Sequence, residues 1–485
     1  MNTMVVDGKG ATRPFPHVWQ MCVGSCHALT ALREDWRRQL RLCHQELEVE
    51  YVRFHGLLND DMSVCLGLKD LPGGGQEPVC SFYNVDSIFD FLIEIGMKPF
   101  VELSFMPAPL ASGTQTCFHY RANVTPPKDY TLWERLIEQL ARHCVARYGI
   151  SEVSSWPFEV WNEPNLNYFW SGDQAEYFKL YRHAASAIKR VSPKLRVGGP
   201  ATARDGWVPE MIEFCRASGT PLDFVSTHQY PTDVAVGNYS DMEERMAKAP
   251  RGVLGELVRQ TRAAAGDRVL YYTEWHNSPS SRDLYHDTSY AAAFAVKTIA
   301  DVADKVACYS FWTFSDIFEE GGFPSEPFHG GFGLLNLFDV PKPVYRAFEL
   351  LNTTGTKRLE VTGSPAGNVE LLATRKPGRL VMIATNHNVP RSPIANEDVE
   401  LVLRNCRVTG SAELVRIDDD HANPRRKWID LGSPVYPDRK QVAAMMRASQ
   451  VKRERVRFVE GENGGWTLRF CLPPHGTVGI TVPIR

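Results

Sequence analysis

Two glutamates stand in settings that suit acid and base work. Glu163 lies in Trp161-Asn162-Glu163-Pro164-Asn165 and Glu274 in Tyr272-Thr273-Glu274-Trp275, each at the end of a short run with strand character. Two carboxyls facing one pocket can hydrolyse an acetal. One protonates the departing oxygen while the other stabilises or covalently traps the oxocarbenium-like centre. In enzymes that retain configuration the two groups stand about 5 to 5.5 Å apart, where at an effective dielectric near 20 their repulsion is about 3 kcal/mol, roughly two pKa units. With Glu274 ionised, Glu163 keeps its proton near neutral pH and can act as general acid. Once Glu274 is glycosylated its charge is gone, and the same Glu163 can deprotonate water. Glu163 is therefore the expected acid/base and Glu274 the expected nucleophile, in a cycle that needs no metal and no cofactor.

These residues must be delivered by repeating elements, and the chain contains them. Eight short apolar runs have strand length: Val18 to Val23, Val49 to Phe54, Pro99 to Leu103, Phe158 to Trp161, Leu195 to Gly198, Phe224 to Thr227, Val269 to Thr273 and Ala307 to Trp312. Stretches of helical periodicity lie between them: Thr30 to Cys43, Asp86 to Ile95, Thr131 to Tyr148, Gln174 to Arg190, Val208 to Ala217, Leu254 to Ala264 and Ser289 to Ala303. Parallel strands need a crossover, and a helix supplies one while burying a face of the sheet, so the alternation predicts an α/β fold, with eight repeats closing into a (β/α)8 barrel. An open dinucleotide-binding sheet lacks its Gly-x-Gly-x-x-Gly fingerprint here, and Gly73-Gly74-Gly75 reads as a loop.

After about Leu351 short alternating runs replace the helices: Val369 to Ala373, Leu380 to Thr385, Val399 to Leu403, Glu413 to Ile417, Val456 to Val459, Trp466 to Cys471 and Thr477 to Val482. The expected organisation is a catalytic barrel over residues 14–345 and an all-β accessory domain, a β-sandwich, over 346–485. Residues 1–13, through Met4 to Val6, are expected to add one strand to the latter.

Active sites of (β/α) barrels form at the C-terminal ends of the strands. The runs end in Ser25 and His27, Arg53 and His55, Glu102 and Ser104, Asn162 and Glu163, Thr202, His228 and Tyr230, Glu274 and His276, and Trp312 followed by Asp316. Other chemistries find less support. There is no Gly-x-Ser-x-Gly elbow and no His-Glu-x-x-His, and Cys22-x-x-x-Cys26 lacks a second half. His55, His228 and His276 could be structural, and Trp312 could be core packing.

With 54 basic against 57 acidic residues and a net charge of -3, the chain offers no reason to expect nucleic acid or an anionic membrane as partner. The Lys452 to Arg457 run reads as a solvated surface. The odd count of 11 cysteines without a repeating framework, a polar Met1 to Arg13 and the lack of a long apolar window point to the cytoplasm. There the sequons at Asn123 and Asn238 are chance matches.

The motifs carry a family resemblance. The Trp161 to Asn165 and Tyr272 to Trp275 segments resemble the strands of the retaining superfamily with glutamates on strands four and seven. Arg53-Phe54-His55-Gly56, Asn123-Val124-Thr125-Pro126-Pro127, Thr227-His228-Gln229-Tyr230-Pro231 and Trp312 through Glu320 are similar to segments of the β-xylosidases of glycoside hydrolase family 39, a family that also includes α-L-iduronidases. The resemblance spans about residues 14 to 345 and implies a C-terminal β-sandwich. It further implies that Asn162 bonds the sugar 2-hydroxyl, that His228 and Tyr230 lie beside the nucleophile and hold it, and that His55 and Glu320 bind the outer hydroxyls. Trp312 would supply the platform under the ring and Phe169 would line the pocket. Glu319 is the alternative to its neighbour Glu320.

The implied activity is retaining exo-β-1,4-xylosidase action on a small xylo-oligosaccharide, releasing xylose from the non-reducing end, with the long Gly56 to Ser81 insertion a candidate for closing one end of the cleft. An α-L-arabinosidase keeps the chemistry and changes only hydroxyl orientation. A uronic-acid glycosidase would need cationic ligands, and the strand-end residues offer no compelling pair. A non-catalytic carbohydrate-binding barrel is the reading from another class, and the presence of both glutamates argues against it. Oligomeric state is left open.

Overall fold

The computed structural model describes residues 2–365, 367–461 and 464–485. Eight parallel strands close into a barrel in chain order: Cys22–His27, Tyr51–His55, Lys98–Leu103, Pro157–Val160, Arg196–Thr202, Phe224–Gln229, Val269–Trp275 and Cys308–Phe311. A helix follows each strand: Glu34–Leu47, Tyr83–Glu94, Tyr130–Tyr148, Gln174–Val191, Val208–Ser218, Val253–Ala265, Ser289–Val302 and Pro343–Asn352. The helix Gln174–Val191 shows how the sequence sets these elements. Asp173 accepts the Glu176 backbone N–H at 2.8 Å, and Tyr177, Leu180, Tyr181, Ala184 and Ile188 recur every three or four residues on the buried face. The eighth helix escaped the sequence reading. It is short, starts with Pro343 at its first position and buries Val344, Tyr345, Ala347, Phe348 and Leu351.

Period-two alternation fills the barrel in layers. Cys22, Tyr51, Phe100, Phe224, Tyr271 and Cys308 form an apolar floor. Two residues further along the same faces come Gly24, Arg53, Glu102, Glu159, Ser226, Thr273 and Ser310, a buried layer that is mostly polar. The next inward positions are Cys26, His55, His228 and Trp312, at the C-terminal mouth.

A sandwich of two sheets packs beside the barrel. One has the order Val361–Ser364, Asn2–Asp7, Glu397–Arg404, Trp466–Leu472, Val459–Glu460. The other has the order Thr12–Pro14, Lys357–Leu359, Val369–Lys376, Arg379–Asn386, Thr477–Pro483, Ala412–Ile417, Arg453–Val456. The strand Val369–Lys376 serves two cores: Leu371 and Ala373 face the other sheet, while Leu372 joins the barrel's apolar cluster. The N-terminal segment gives a strand to each sheet rather than to one, Asn2–Asp7 running parallel to Glu397–Arg404.

Two helices correct the expectation that this part is all-β. Asn423 caps Pro424–Asp430, and Asp438 with Gln441 forms a reciprocal capping box on Arg439–Ala448. Their Trp428 and Met445 cover Phe328 and Val340 of the segment after barrel strand eight, burying that apolar surface. The expected strand Val456 to Val459 is divided between the sheets, as Arg453–Val456 and Val459–Glu460. The three glycines Gly73 to Gly75 turn the hairpin Cys65–Asp70/Gln76–Cys80 with positive φ. Among the described residues no helix is long and apolar enough to cross a membrane.

Candidate active site

The mouth of the barrel holds a cleft of about 230 Å³ lined by His55, Asn162, Glu163, Phe169, Tyr230, Glu274, Trp312 and Glu320 among others. The fold thus gathers six of the strand-end residues singled out by sequence, together with Phe169 and Glu320, from positions up to 265 apart in the chain. His228 lies just beneath the surface, fully buried against both glutamates.

Glu163 occupies a backbone conformation with φ 43°, and Trp161 two residues earlier has φ 74°. For non-glycine residues each costs about 1–2 kcal/mol, so the surroundings must hold them. Glu163 N–H donates to Ala201 O at 2.8 Å, Trp161 Nε1 donates to Phe169 O at 2.8 Å, and the Asn165 amide makes paired bonds with Ala203 N and O at 2.9 and 2.8 Å. In the Trp-Asn-Glu-Pro-Asn motif, Trp161 and Asn165 fasten the loop to its neighbours, and Asn162 and Glu163 face the cleft.

Arg53, in the middle layer of strand two, organises the rest. Its Nε donates to Glu159 at 2.6 Å, Nη2 to Asn162 Oδ1 at 3.0 Å and Nη1 to Glu274 Oε1 at 2.9 Å, and Nη2 forms an ion pair with Glu102 Oε2 at 2.7 Å. Burial opposes the guanidinium's charge, but Glu102, Glu159 and Glu274 outweigh it and hold its pKa above the usual value. A guanidinium only donates, so Asn162 must turn its oxygen to Arg53, which leaves its NH2 for the cleft.

Glu274 also accepts from Tyr230 OH through Oε2 at 3.0 Å. His55 is fixed by Glu102, whose Oε2 is 2.8 Å from Nδ1. The other ring nitrogen, Nε2, lies 3.5 Å from Glu274 Oε1 and 3.8 Å from Glu320 Oε1. His228 differs from the expectation that it holds the nucleophile. Its Nδ1 is 2.9 Å from Glu163 Oε1 and 3.6 Å from Glu274 Oε2, so its hydrogen bond goes to Glu163.

The electrostatics separate the two carboxyls. Burial raises Glu274, but Arg53 and His55 act against the rise. Burial raises Glu163 well above the ordinary range, with Glu274, Asp233 and Glu320 adding to it and Arg53 opposing. Of the pair, Glu163 keeps the proton longer. Oxygens of the two groups and Nδ1 or Nε2 of His228 lie within 4.8 Å of one another. This trio alone, among the described residues, has donors close enough to share an ion. Each member is already engaged, with one another or with Arg53 and Tyr230, and we assign no metal to it.

One wall of the cleft is the Trp312 indole. It lies 4.8 Å from the His55 ring, over Gly24, where an added Cβ would come 2.4 Å from Trp312 Cε3. Glu320 lines the same end, its pKa raised by burial, Glu274 and Glu102. Glu319 turns away to His27, which also contacts Asp61 at 2.9 Å and stacks on Tyr120 with 3.8 Å between ring centroids. His119 N donates to Glu320 O at 2.8 Å. Loops 117–122 and 317–322 therefore meet at this end of the cleft. From the Gly56 to Ser81 insertion Asp61 reaches this wall through His27. Its hairpin packs against the helix Tyr130–Tyr148, with Arg135 donating to Gln76 O at 2.7 Å.

Arg53 and Glu102 stood among the strand-end residues without a role, and Glu159, Thr273 and Asp233 stood outside them. For Arg53, Glu102, Glu159 and Thr273 the signal was alternation, polar residues one inward position before the mouth, whereas Asp233 lies beyond strand six in the turn Pro231–Val234. The strand-end residues offered no compelling cationic pair, whereas Arg204 and Arg245, from the segments after strands five and six, line the cleft. Arg204 Nε lies 3.5 Å from Asp233, and Arg245 donates to Thr232 O at 3.1 Å. His276 lies behind the site, its ring tilted by 46° against that of His286 with 3.9 Å between centroids.

The sequence model of the Glycosyl hydrolases family 39 matches residues 2–463. A β-xylosidase of Caldicellulosiruptor saccharolyticus is 53% identical over 467 residues, covering 96% of this chain and 95% of that protein. A β-xylosidase of Geobacillus stearothermophilus is 35% identical over 477 residues, covering 95% and 92%. The solved structure of a GH39 β-xylosidase from Caulobacter crescentus superposes with a TM-score of 0.83 at 31% identity, covering 100% of both chains.

Proposed function

The chain belongs to glycosyl hydrolase family 39, and from that premise we propose that it is a retaining exo-β-1,4-xylosidase releasing xylose from the non-reducing end of xylo-oligosaccharides. One observation carries the reading: carboxylate oxygens of Glu163 and Glu274 lie within 4.8 Å of each other at the cleft. That fits the roughly 5 to 5.5 Å between carboxyls of retaining enzymes and falls short of the roughly 6.5–9.5 Å that admits a water in inverting ones.

In this proposal Glu274, kept nucleophilic by Arg53 and oriented by Tyr230, attacks the anomeric carbon while Glu163 protonates the departing oxygen. The ester removes the negative charge of Glu274, the pKa of Glu163 falls, and Glu163 takes a proton from the water that attacks in its turn. Asn162 donates its free NH2 to the sugar 2-hydroxyl. His55 Nε2 and Glu320 hold the outer hydroxyls, Trp312 lies under the ring, and Phe169 lines the pocket. The loop contact His119 to Glu320 supports a closed end for the terminal sugar and hence exo action.

Xylose is favoured over a uronic acid because both guanidiniums in the cleft are engaged, Arg204 with Asp233 and Arg245 with Thr232. The cytoplasm is the proposed setting, supported by 11 cysteines that all stand as free thiols. A proton NMR time course on an aryl β-xyloside tests the proposal. β-Xylose must appear before its mutarotated anomer. The α-anomer appearing first, or release from an aryl α-L-arabinoside alone, would overturn it.

A further inference from the structure

A chain of buried hydrogen bonds beneath the cleft has a direction, and that direction reaches Glu163. It starts at Arg53, whose Nε donates to Glu159 Oε2 at 2.6 Å. Paired with the guanidinium, Glu159 offers only acceptors, so Thr273, 2.9 Å away on strand seven, must give its single hydroxyl proton to Glu159 Oε1. If that proton pointed elsewhere, two oxygen lone pairs would face each other across 2.9 Å in a site closed to water. Thr273 Oγ1 is then an acceptor toward His228 Nε2, 3.1 Å away.

We infer that Glu159 and Thr273 are positioning residues that fix His228 as the Nε2–H tautomer, so that its bare Nδ1 faces Glu163 Oε1 and can only accept. The inference rests on the reading of Glu163 as acid/base. The bond of 2.9 Å between Nδ1 and Oε1 then contains the carboxyl proton of Glu163, donated to His228 until a glycosidic oxygen competes for it. In the second half-reaction the carboxylate meets a lone pair rather than a donor, which makes it the stronger base toward water. One proton leaves Glu163 with the leaving group and one returns from water, and His228 is never ionised.

The surroundings agree with a neutral ring. Facing His228 are Arg53 and His55 from strand two, Glu163 after strand four and Glu274 on strand seven. Burial, Arg53 and His55 hold its pKa well below the ordinary histidine value. Glu163 in turn faces Glu274, Asp233, Arg53 and Glu320.

The wild-type chain labelled with 15N-histidine tests this by NMR at neutral pH, the His228 signals being assigned by their loss in H228Q. The expected result is a protonated Nε2 and a pyridine-like Nδ1. A protonated Nδ1, alone or together with Nε2, overturns the inference whatever the enzyme's activity. A kinetic arm uses T273V, which frees the ring to turn its proton to Nδ1 and donate to the carboxylate. The basic limb of the kcat/KM profile on an aryl xyloside should then move to lower pH by about one unit, while T273S should keep the wild-type limb. An unmoved limb in folded T273V also overturns it, and E163Q on the same substrates reports separately on the acid/base role.

Discussion

Replacing Glu274 by glutamine removes one negative charge beside Glu163 while keeping the shape of the side chain. An oxygen of each lies within 4.8 Å of the other, a distance at which two unit charges in an effective dielectric of 20 repel by about 3.5 kcal/mol. Arg53 and Tyr230 draw part of that charge toward themselves, so we take about two pKa units as the share Glu163 feels. The sign follows from the acid's own chemistry. A neighbouring anion disfavours ionisation, so E274Q lowers the pKa of Glu163, leaving the contributions of burial and Asp233 in place. The assay is a carboxyl titration by 13C NMR on glutamate-labelled wild type and E274Q, with the Glu163 signal assigned by its loss in E163Q. A downward shift of about two units supports proton cycling driven by the charge on Glu274. Titrations that coincide within half a unit would refute the electrostatic argument, because the two carboxyls would then not sense each other.

Three further outcomes follow from the same contacts. R53L strands Glu102, Glu159 and Glu274 without their buried partner and should cost about 3–5 kcal/mol in urea unfolding together with turnover, whereas wild-type stability would contradict the central place given to Arg53. G24A drives a Cβ into the Trp312 indole and should cost about 1–3 kcal/mol with a fall in kcat/KM, read by thermal melting and xyloside kinetics; an unchanged kcat/KM would detach Trp312 from the sugar. E320Q should lower kcat/KM on the xyloside by about tenfold or more at little cost in stability. E319Q should act mainly on stability through His27, and a reversed pattern would exchange the two roles.

The repeating alternation of apolar strands with amphipathic helices was legible because barrel strands buried on both faces read as continuous apolar runs. The helices Pro424–Asp430 and Arg439–Ala448 were not, since they are short and their signals are caps rather than long periodic stretches. At the mouth, asking which residues end each run finds Glu163, Glu274, His55 and Tyr230, because the C-terminal edge of each strand is where side chains meet solvent. It does not find Glu159 or Thr273, one layer down. There a polar residue is meaningful only with its partner, and the partners of Arg53 lie 49 to 221 positions away. His228 went to the wrong carboxyl for a related reason: both glutamates are near, and only the ring's orientation decides between 2.9 and 3.6 Å.

The account depends most on Glu274 forming a bond to the sugar. Incubation with an activated 2-deoxy-2-fluoro-β-xyloside, followed by proteolysis and mass spectrometry, reads this directly. The account predicts one fluoroxylosyl group, on the peptide containing Glu274 and absent from E274Q. A label on any other side chain, or turnover with no trapped ester at all, would contradict it.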